Sequence, residues 1–463
     1  MRTTHGLRVL SVYEGFFSGG ARIVHSDVVL GLAEGGQSHQ VLSIHGEVRR
    51  EATRQRMEDD SCYRALTAGG VGVTSLGRSA GLVDGALAAN LFSGPELAET
   101  ARAMAGADVI LSLKEQPLAL LNQAGLPRRP VVVGLHRSDP ENQGPALEEL
   151  KAAIADGTVA ACVCCAESTR AAYEAAGIPA RLLHVIPNGV DLLRFRPDPA
   201  ARLAFRASQG IPDRAPVVVF AARYAAMKNV PLLLRAARAW LGREPEGHVV
   251  MCGAGMNDTN PALWADIEIA FGADRHLAER IHLLGVRRDM EAVYAGADVV
   301  ALTSASGEAA PLCLIEGMMC GAVPVTTDVG DSASIVEGLG FVTPPDPAAI
   351  ALAWSAAAGG RTGLAPALDA ARERFSRTRM IAAYATLLDE VYASHVGGQR
   401  VVAQHAAGDA VAPPAVPEDD APQYALAGEP GLLQGPLLGD VLGLGVGLDP
   451  HHGRVGEEVP DEL

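Results

Sequence analysis

The sequence has no apolar run approaching the roughly 18–20 residues needed to cross a bilayer. It has no basic excess: 38 lysines and arginines stand against 54 acids, and the net charge of −16 disfavours general attraction to nucleic acid or anionic lipid. It has no second spaced pair of metal ligands. The 7 cysteines are an odd number, and Cys162, Cys164 and Cys165 share the strand-like run 159–166, where their side chains alternate between faces. Buried free thiols are expected there rather than zinc. No basic amphipathic helix is evident, which tilts the expectation away from a membrane partner. The opening 1–14 has an apolar stretch too short for a signal peptide and is cut by Glu14. A soluble cytoplasmic protein is expected.

What is present is a long chain of 463 residues, 48% hydrophobic, enough for two or three domains with large cores. Short apolar runs alternate with helical periods. Residues 7–13, 41–44, 71–76, 109–113, 131–135 and 159–165 read as strands, with helices over 21–34, 94–104, 146–155 and 167–176 among them. A second alternation begins at 217–221 and continues through 248–252, 281–284, 297–302 and 323–326. Such order implies parallel sheets covered on both faces, with ligands beyond the strands' C-terminal ends. Segments 364–375 and 380–392 read as closing helices. From about Gly397 the composition changes to proline, glycine, leucine and acids without helical period, a tail expected to be disordered.

Chemistry concentrates in Thr303–Gly321, TSASGEAAPLCLIEGMMCG, which reads as loop then helix after an apolar strand. Pro311 suits the first helical position, where its missing N–H is no loss. The free N–H groups of a helix start suit a phosphate. Glu308 precedes that start and Glu316 lies about two turns further on. Two carboxylates flanking an anion site make sense for a phosphate bearing hydroxyl-rich groups on both sides, because carboxylates accept paired hydroxyl hydrogen bonds. A nucleotide sugar is such a ligand.

The spacing Glu308, seven residues, Glu316, closed by Gly321 and Val323-Pro324-Val325, resembles the E-x7-E signature of the retaining glycosyltransferases of family 4. That resemblance implies that Glu308 contacts the donor sugar, Glu316 the ribose, and the backbone of Pro311, Leu312, Cys313 and Leu314 the diphosphate. Arg223 and Lys228 resemble the family's R-(x)4-K loop, which holds the diphosphate. A guanidinium and an ammonium at a strand–helix junction suit that task and would neutralise the leaving nucleotide. Gly19-Gly20 in the first strand–helix loop, His136 after the strand 131–135, Gly253 in Gly253-Ala254-Gly255, and Val286 after the strand 281–284 match places where the family meets donor or acceptor. Arg137, Ser138 and Asp139 are candidate acceptor contacts. Val185–Asp191, VIPNGVD, resembles the signature ending the family's first domain, with Asn188-Gly189 expected as a tight turn with positive φ. The sequence departs from the family at Ala309, at Gly317, and at Gly330-Asp331-Ser332-Ala333-Ser334, which replaces G-G-x-P-E.

The resemblance implies a GT-B architecture: α/β, two Rossmann-like domains facing across a cleft. The expected divisions are 1–195 for the acceptor, 196–376 for the donor, a crossover helix over 377–396 packing back on the first domain, and the tail 397–463. Catalytic expectations are Glu308, His136, Arg223 and Lys228; the donor site adds Gly19, Gly20, Gly253, Val286, Pro311–Leu314 and Glu316. No cofactor and no metal are expected, with a nucleotide diphosphate sugar as donor and a small polar or glycan acceptor. Rival readings are a nucleotide-sugar epimerase of the same fold and a non-catalytic subunit.

Overall fold

The computed structural model describes residues 6–16, 19–50, 53–80 and 91–408. The rest of the expected tail, from 409, lies outside the described residues. Two parallel sheets organise the chain. The first comprises β1 (Arg8–Tyr13), β2 (Ser38–Arg50), β3 (Thr53–Arg56), β4 (Gly72–Ala80), β5 (Val109–Leu113), β6 (Val131–Leu135), β7 (Val159–Cys164) and β8 (Leu183–Val185). Its order is β3-β2-β1-β5-β6-β7-β8, with β4 also paired to β2 and only β3 antiparallel. The second comprises β9 (Val217–Ala221), β10 (His248–Cys252), β11 (Ile281–Gly285), β12 (Val299–Leu302), β13 (Val323–Thr327) and β14 (Phe341–Thr343), ordered β11-β10-β9-β12-β13-β14.

The central strands are apolar and β-branched because helices cover both their faces. Every residue of β5, β6, β12 and β13 is buried. In the first sheet the chain leaves β1 to one side for β2 and returns to its other side for β5. In the second it does the same around β9, with β10 on one side and β12 on the other. Each sheet therefore has one point where strand order reverses, and a crevice opens there beyond the C-terminal ends.

The closing helices are longer than expected. One runs Pro347–Ala370 with Pro366 inside it, and the last runs Arg377–Gly408, so residues 397–408 are helical rather than part of an unstructured tail. Met380, Tyr384, Leu387 and Leu388 of the last helix pack in one cluster with Leu7, Val9, Val109, Leu111 and Val163 of the first sheet. The two connections between the sheets run side by side as a parallel bridge, Val190 to Ser376, with Val190 N donating to Phe375 O at 2.8 Å and Arg377 N to Val190 O at 2.9 Å. Gly189 is not in a left-handed turn, contrary to expectation: a Cβ there would lie 2.4 Å from the Ser376 carbonyl oxygen, so close chain approach demands glycine. All 7 cysteines are free, and all but Cys313 are buried. Among the described residues no helix is long and apolar enough to cross a membrane.

The second sheet is anchored at its N-terminal edge by a buried charge network. Arg206, fully buried, donates to Asp298 Oδ2 at 2.8 Å and to the carbonyls of Gly296, Pro212, Asp213 and Ala215. Asp298 also accepts from Arg202 at 2.6 Å and from the Val217 N–H at 2.9 Å, tying helix Pro199–Ser208 to the starts of β9 and β12. Removing one partner of such a network strands the others in low dielectric. Arg206→Met is expected to destabilise the protein by about 3–5 kcal/mol in denaturant titration.

Candidate functional site

The crevice of the second sheet is built from the loops after β9 and β12. Val217–Ala221 ends at Ala222-Arg223, and the chain then makes a 3-10 turn, Ala226–Lys228, before the helix Val230–Leu241. Asn229 stands in the left-handed region at φ 50°, and its side chain accepts from Leu232 N to cap that helix. This turn aims Lys228 inward. Its Nζ pairs with Glu308 Oε1, and both side chains are largely buried. Glu308 Oε1 also accepts from Ser304 Oγ at 2.6 Å, so the carboxylate is fixed from two sides. Thr303 Oγ1 donates to Lys228 O at 3.1 Å and Ala305 N to Met227 O at 2.8 Å, stitching the two loops together.

The helix behind Glu308 runs Leu312–Met319, so Pro311 is its N-cap, extended at ψ 114°, rather than its first residue. Leu314 turns its side chain into the core, leaving only its backbone for a ligand. Cys313 is partly buried and its thiol is pushed up to about 12, first by burial. Glu316 lies beside the buried Tyr294 hydroxyl, and burial raises its carboxyl to about 7. Gly317 is explained by packing: a Cβ there would lie 2.7 Å from Val300 Cβ of β12. Gly253, at φ 136°, lets β10's turn lie against the Arg223 loop, where a Cβ would fall 2.1 Å from Ala222 O.

The first sheet meets this crevice directly. Ser138 Oγ donates to Glu308 O at 2.6 Å, and Asn188 Nδ2 to Ala310 O at 3.1 Å. Gly20 opens helix Gly20–Glu34, and a Cβ on it would sit 3.5 Å from Leu312 Cδ1. Asp331 accepts from the N–H groups of Glu167 and Ser168, both at 2.8 Å, capping helix Glu167–Ala175 from the opposite sheet. Gly330, at φ 61°, brings that loop so close that a Cβ would meet Glu308 O at 2.3 Å. The departure Gly330-Asp331 from the family pattern is thus an inter-sheet clasp.

Lys228, Glu308, Ser138, Gly20 and Leu312 therefore come together. Arg223 lies at the same strand end but is exposed, its guanidinium reaching, among the described residues, only Met227 Sδ, at 3.4 Å. Gly19 is the N-cap of helix Gly20–Glu34. Val286 stands apart, 72% exposed at the end of the edge strand β11. His136 follows β6 with Nε2 buried and, among the described residues, without a hydrogen-bond partner, its pKa held down to about 3 by burial and then by Lys114. Arg137 is tied to Asp139 by a two-pronged pair at 2.8 Å, which occupies two of the suggested acceptor contacts. Sequence reasoning missed Ser304, Tyr294 and the role of Asp331. Only Asp331 left a signal, as a departure from the family's pattern.

Residues 18–194 match the family model described as Glycosyltransferase Family 4, and residues 215–358 the one described as Glycosyl transferases group 1. The chain is 31% identical over 174 residues to the D-inositol 3-phosphate glycosyltransferase of Nocardia farcinica, covering 37% of this chain and 38% of that protein. It is 34% identical over 154 residues to the enzyme of that name from Saccharomonospora viridis, covering 32% and 35%. The chain thus spans little more than a third of the length of the curated relatives it matches. Anabaena HepE in complex with UDP and glucose superposes with TM-score 0.67 at 22% identity, over 83% of this chain and 100% of that one. A glycosyltransferase from Rickettsia africae gives 0.66 at 15% identity, over 83% and 98%. The fold is the GT-B fold, and both halves carry domains of glycosyltransferase type.

Gly317 offers a test of how tightly the crevice is set. Alanine gains about 1 kcal/mol of helix propensity, yet the β-branched Val300 behind it is buried and cannot move aside. Gly317→Ala is expected to lower stability by about 1–3 kcal/mol in thermal or urea unfolding, against the sign of propensity.

Proposed function

We propose that this chain, both halves of which match glycosyltransferase domain families, moves a hexose from a nucleoside diphosphate sugar to a hydroxyl of a small polar acceptor of the cyclitol class, retaining the anomeric configuration. One observation carries the reading. Lys228 and Glu308 meet at the start of helix Leu312–Met319, in the crevice between β9 and β12, and face Ser138 and Gly20 of the first sheet. The N–H groups of that helix start, with Lys228 and Arg223, suit a diphosphate. Its arrival would compete with Glu308 for the Lys228 ammonium and free the carboxylate to accept the sugar's hydroxyls. Glu316 lies in the same helix, about one turn from its start, and suits the ribose. Gly19, Gly253 and Val286 would meet the donor through backbone atoms. His136 would face the donor sugar from the first sheet. Arg223, Lys228 and the helix terminus supply positive charge as the nucleotide leaves. Front-side attack, with the leaving phosphate taking the acceptor proton, is the proposed route to retention. The acceptor class rests on the relatives named for D-inositol 3-phosphate. A cytoplasmic setting belongs to the same reading.

Incubation with UDP-, GDP- and dTDP-hexoses, with and without an inositol acceptor, is expected to give a new glycoside by mass spectrometry. A new nucleotide sugar without acceptor would instead mark an epimerase, and no donor binding would end the proposal. Lys228→Ala and Glu316→Ala are expected to cost on the order of 10²-fold or more in turnover.

The raised carboxyl of Glu316 sets a pH dependence. Ribose hydroxyls donate best to the ionised form, so nucleotide affinity is expected to rise with pH through about 7 and level off above it. Glu316→Gln is expected to flatten that profile in calorimetric titrations. Because the folded carboxyl holds its proton above the model-peptide value of 4.5, its contribution to stability declines as pH rises from 4.5 to about 7.

A further inference from the structure

The crevice of the first sheet has no ligand group assigned beyond the Gly19-Gly20 loop and His136, yet it is built like that of the second. It opens between the C-terminal ends of β1 and β5, where strand order reverses. The residue immediately past β5 is Lys114. Its backbone stands in the left-handed region, φ 66°, one of only two non-glycine positions to do so among the described residues. The other is Asn229, which shapes the Lys228 turn. An unbranched cationic side chain in that conformation carries strain that the fold must hold in place, and such strain gathers at ligand sites. Ser112 Oγ donates to Lys114 O at 2.8 Å and fixes the turn.

Lys114 is partly buried, and among the described residues no hydrogen bond or ion pair reaches its ammonium. Neighbouring Glu115 does not neutralise it by contact: that carboxyl is buried and accepts from Gln143 Nε2 at 3.0 Å. Beside Lys114, across the β5–β6 pairing, His136 holds a buried, unpartnered Nε2. Behind His136 stands His25, 2% exposed, whose Nε2 also lacks a partner. A half-buried ammonium with no counter-ion in contact, at the end of the strand where the order reverses, calls for a ligand that accepts hydrogen bonds and carries negative charge.

We infer that Lys114 receives the oxyanion of the acceptor, a phosphate or carboxylate on a small polyol, and so selects charged over neutral acceptors. The inference rests on the glycosyltransferase reading and goes past it, in assigning an acceptor-reading residue that the family motifs do not include.

The test is binding to the full chain saturated with UDP, at low ionic strength, by calorimetry. The probes are D-inositol 3-phosphate, glucuronate and unsubstituted inositol. Wild type is expected to prefer at least one charged probe over inositol by tenfold or more, and which probe wins names the anion. Lys114→Ala and Lys114→Gly are expected to lose that preference while UDP affinity stays unchanged, with Lys114→Gly melting no lower than wild type because the strain is relieved. Lys114→Arg should keep most of the preference. Retention of the preference in Lys114→Gly, or its absence from wild type that binds UDP, overturns the inference. Failure of UDP itself to bind would instead overturn the underlying reading of the donor site.

Discussion

The pairing of Lys228 with Glu308 is the interaction on which the second crevice depends. It joins the loops after two strands that are adjacent in the sheet but far apart in sequence, and each partner is held by its own loop. Asn229 takes a left-handed backbone to turn Lys228 inward, while Ser304 and Ser138 hold the carboxylate and the carbonyl of Glu308. A buried pair of this kind gains little net stability, because the desolvation of both ions offsets most of their attraction, but removing either partner alone is costly. That asymmetry bears on the proposed donor. Whatever takes the ammonium must at the same moment offer donors to the carboxylate. The proposed donor, a diphosphate joined to a hydroxylated ring, offers both.

The same atoms tie that exchange to the first sheet. Ser138 donates to the backbone of Glu308, and Asp331, whose N–H donates to Ala309 O at 2.8 Å, caps helix Glu167–Ala175 with both carboxylate oxygens. These contacts reach the second sheet within a few residues of Glu308. A shift of one half against the other would therefore disturb the setting of Glu308. The paired connections at Val190 and Ser376, which allow no Cβ at Gly189, hold the two crossings between the sheets side by side.

Much of the second sheet was legible because its strands are short, apolar and bounded by glycine or charge: β9, β10 and helix Val230–Leu241 have the bounds their composition implies. The first sheet was harder. β2 runs on to Arg50 and pairs with β3, Thr-Arg-Gln-Arg, a charged edge strand whose composition protects an edge and so hides a strand. Pro311 was placed one residue too far into its helix because proline fixes φ and leaves ψ free. Gly189 and Gly317 read as turn and tolerated defect, since nothing local shows that Ser376 or Val300 will stand where a Cβ belongs. The carboxylates were found by spacing; their states were not, because the burial of Glu316 against Tyr294 is a property of the packed chain.

A net charge of −16 is a poor start for a chain proposed to bind a diphosphate and, beside it, an oxyanion. Distance resolves the difficulty. At physiological ionic strength charges more than about 8 Å away in solvent are largely screened. The excess acids weigh little on a ligand that touches Lys228, Arg223 and the N–H groups of a helix start. What the distant charge does affect is approach, by slowing the arrival of anions in a salt-dependent way. Local geometry thus sets affinity while overall charge sets access. The two unusual backbones of the described chain, Asn229 and Lys114, stand where geometry has most to do, one at each crevice.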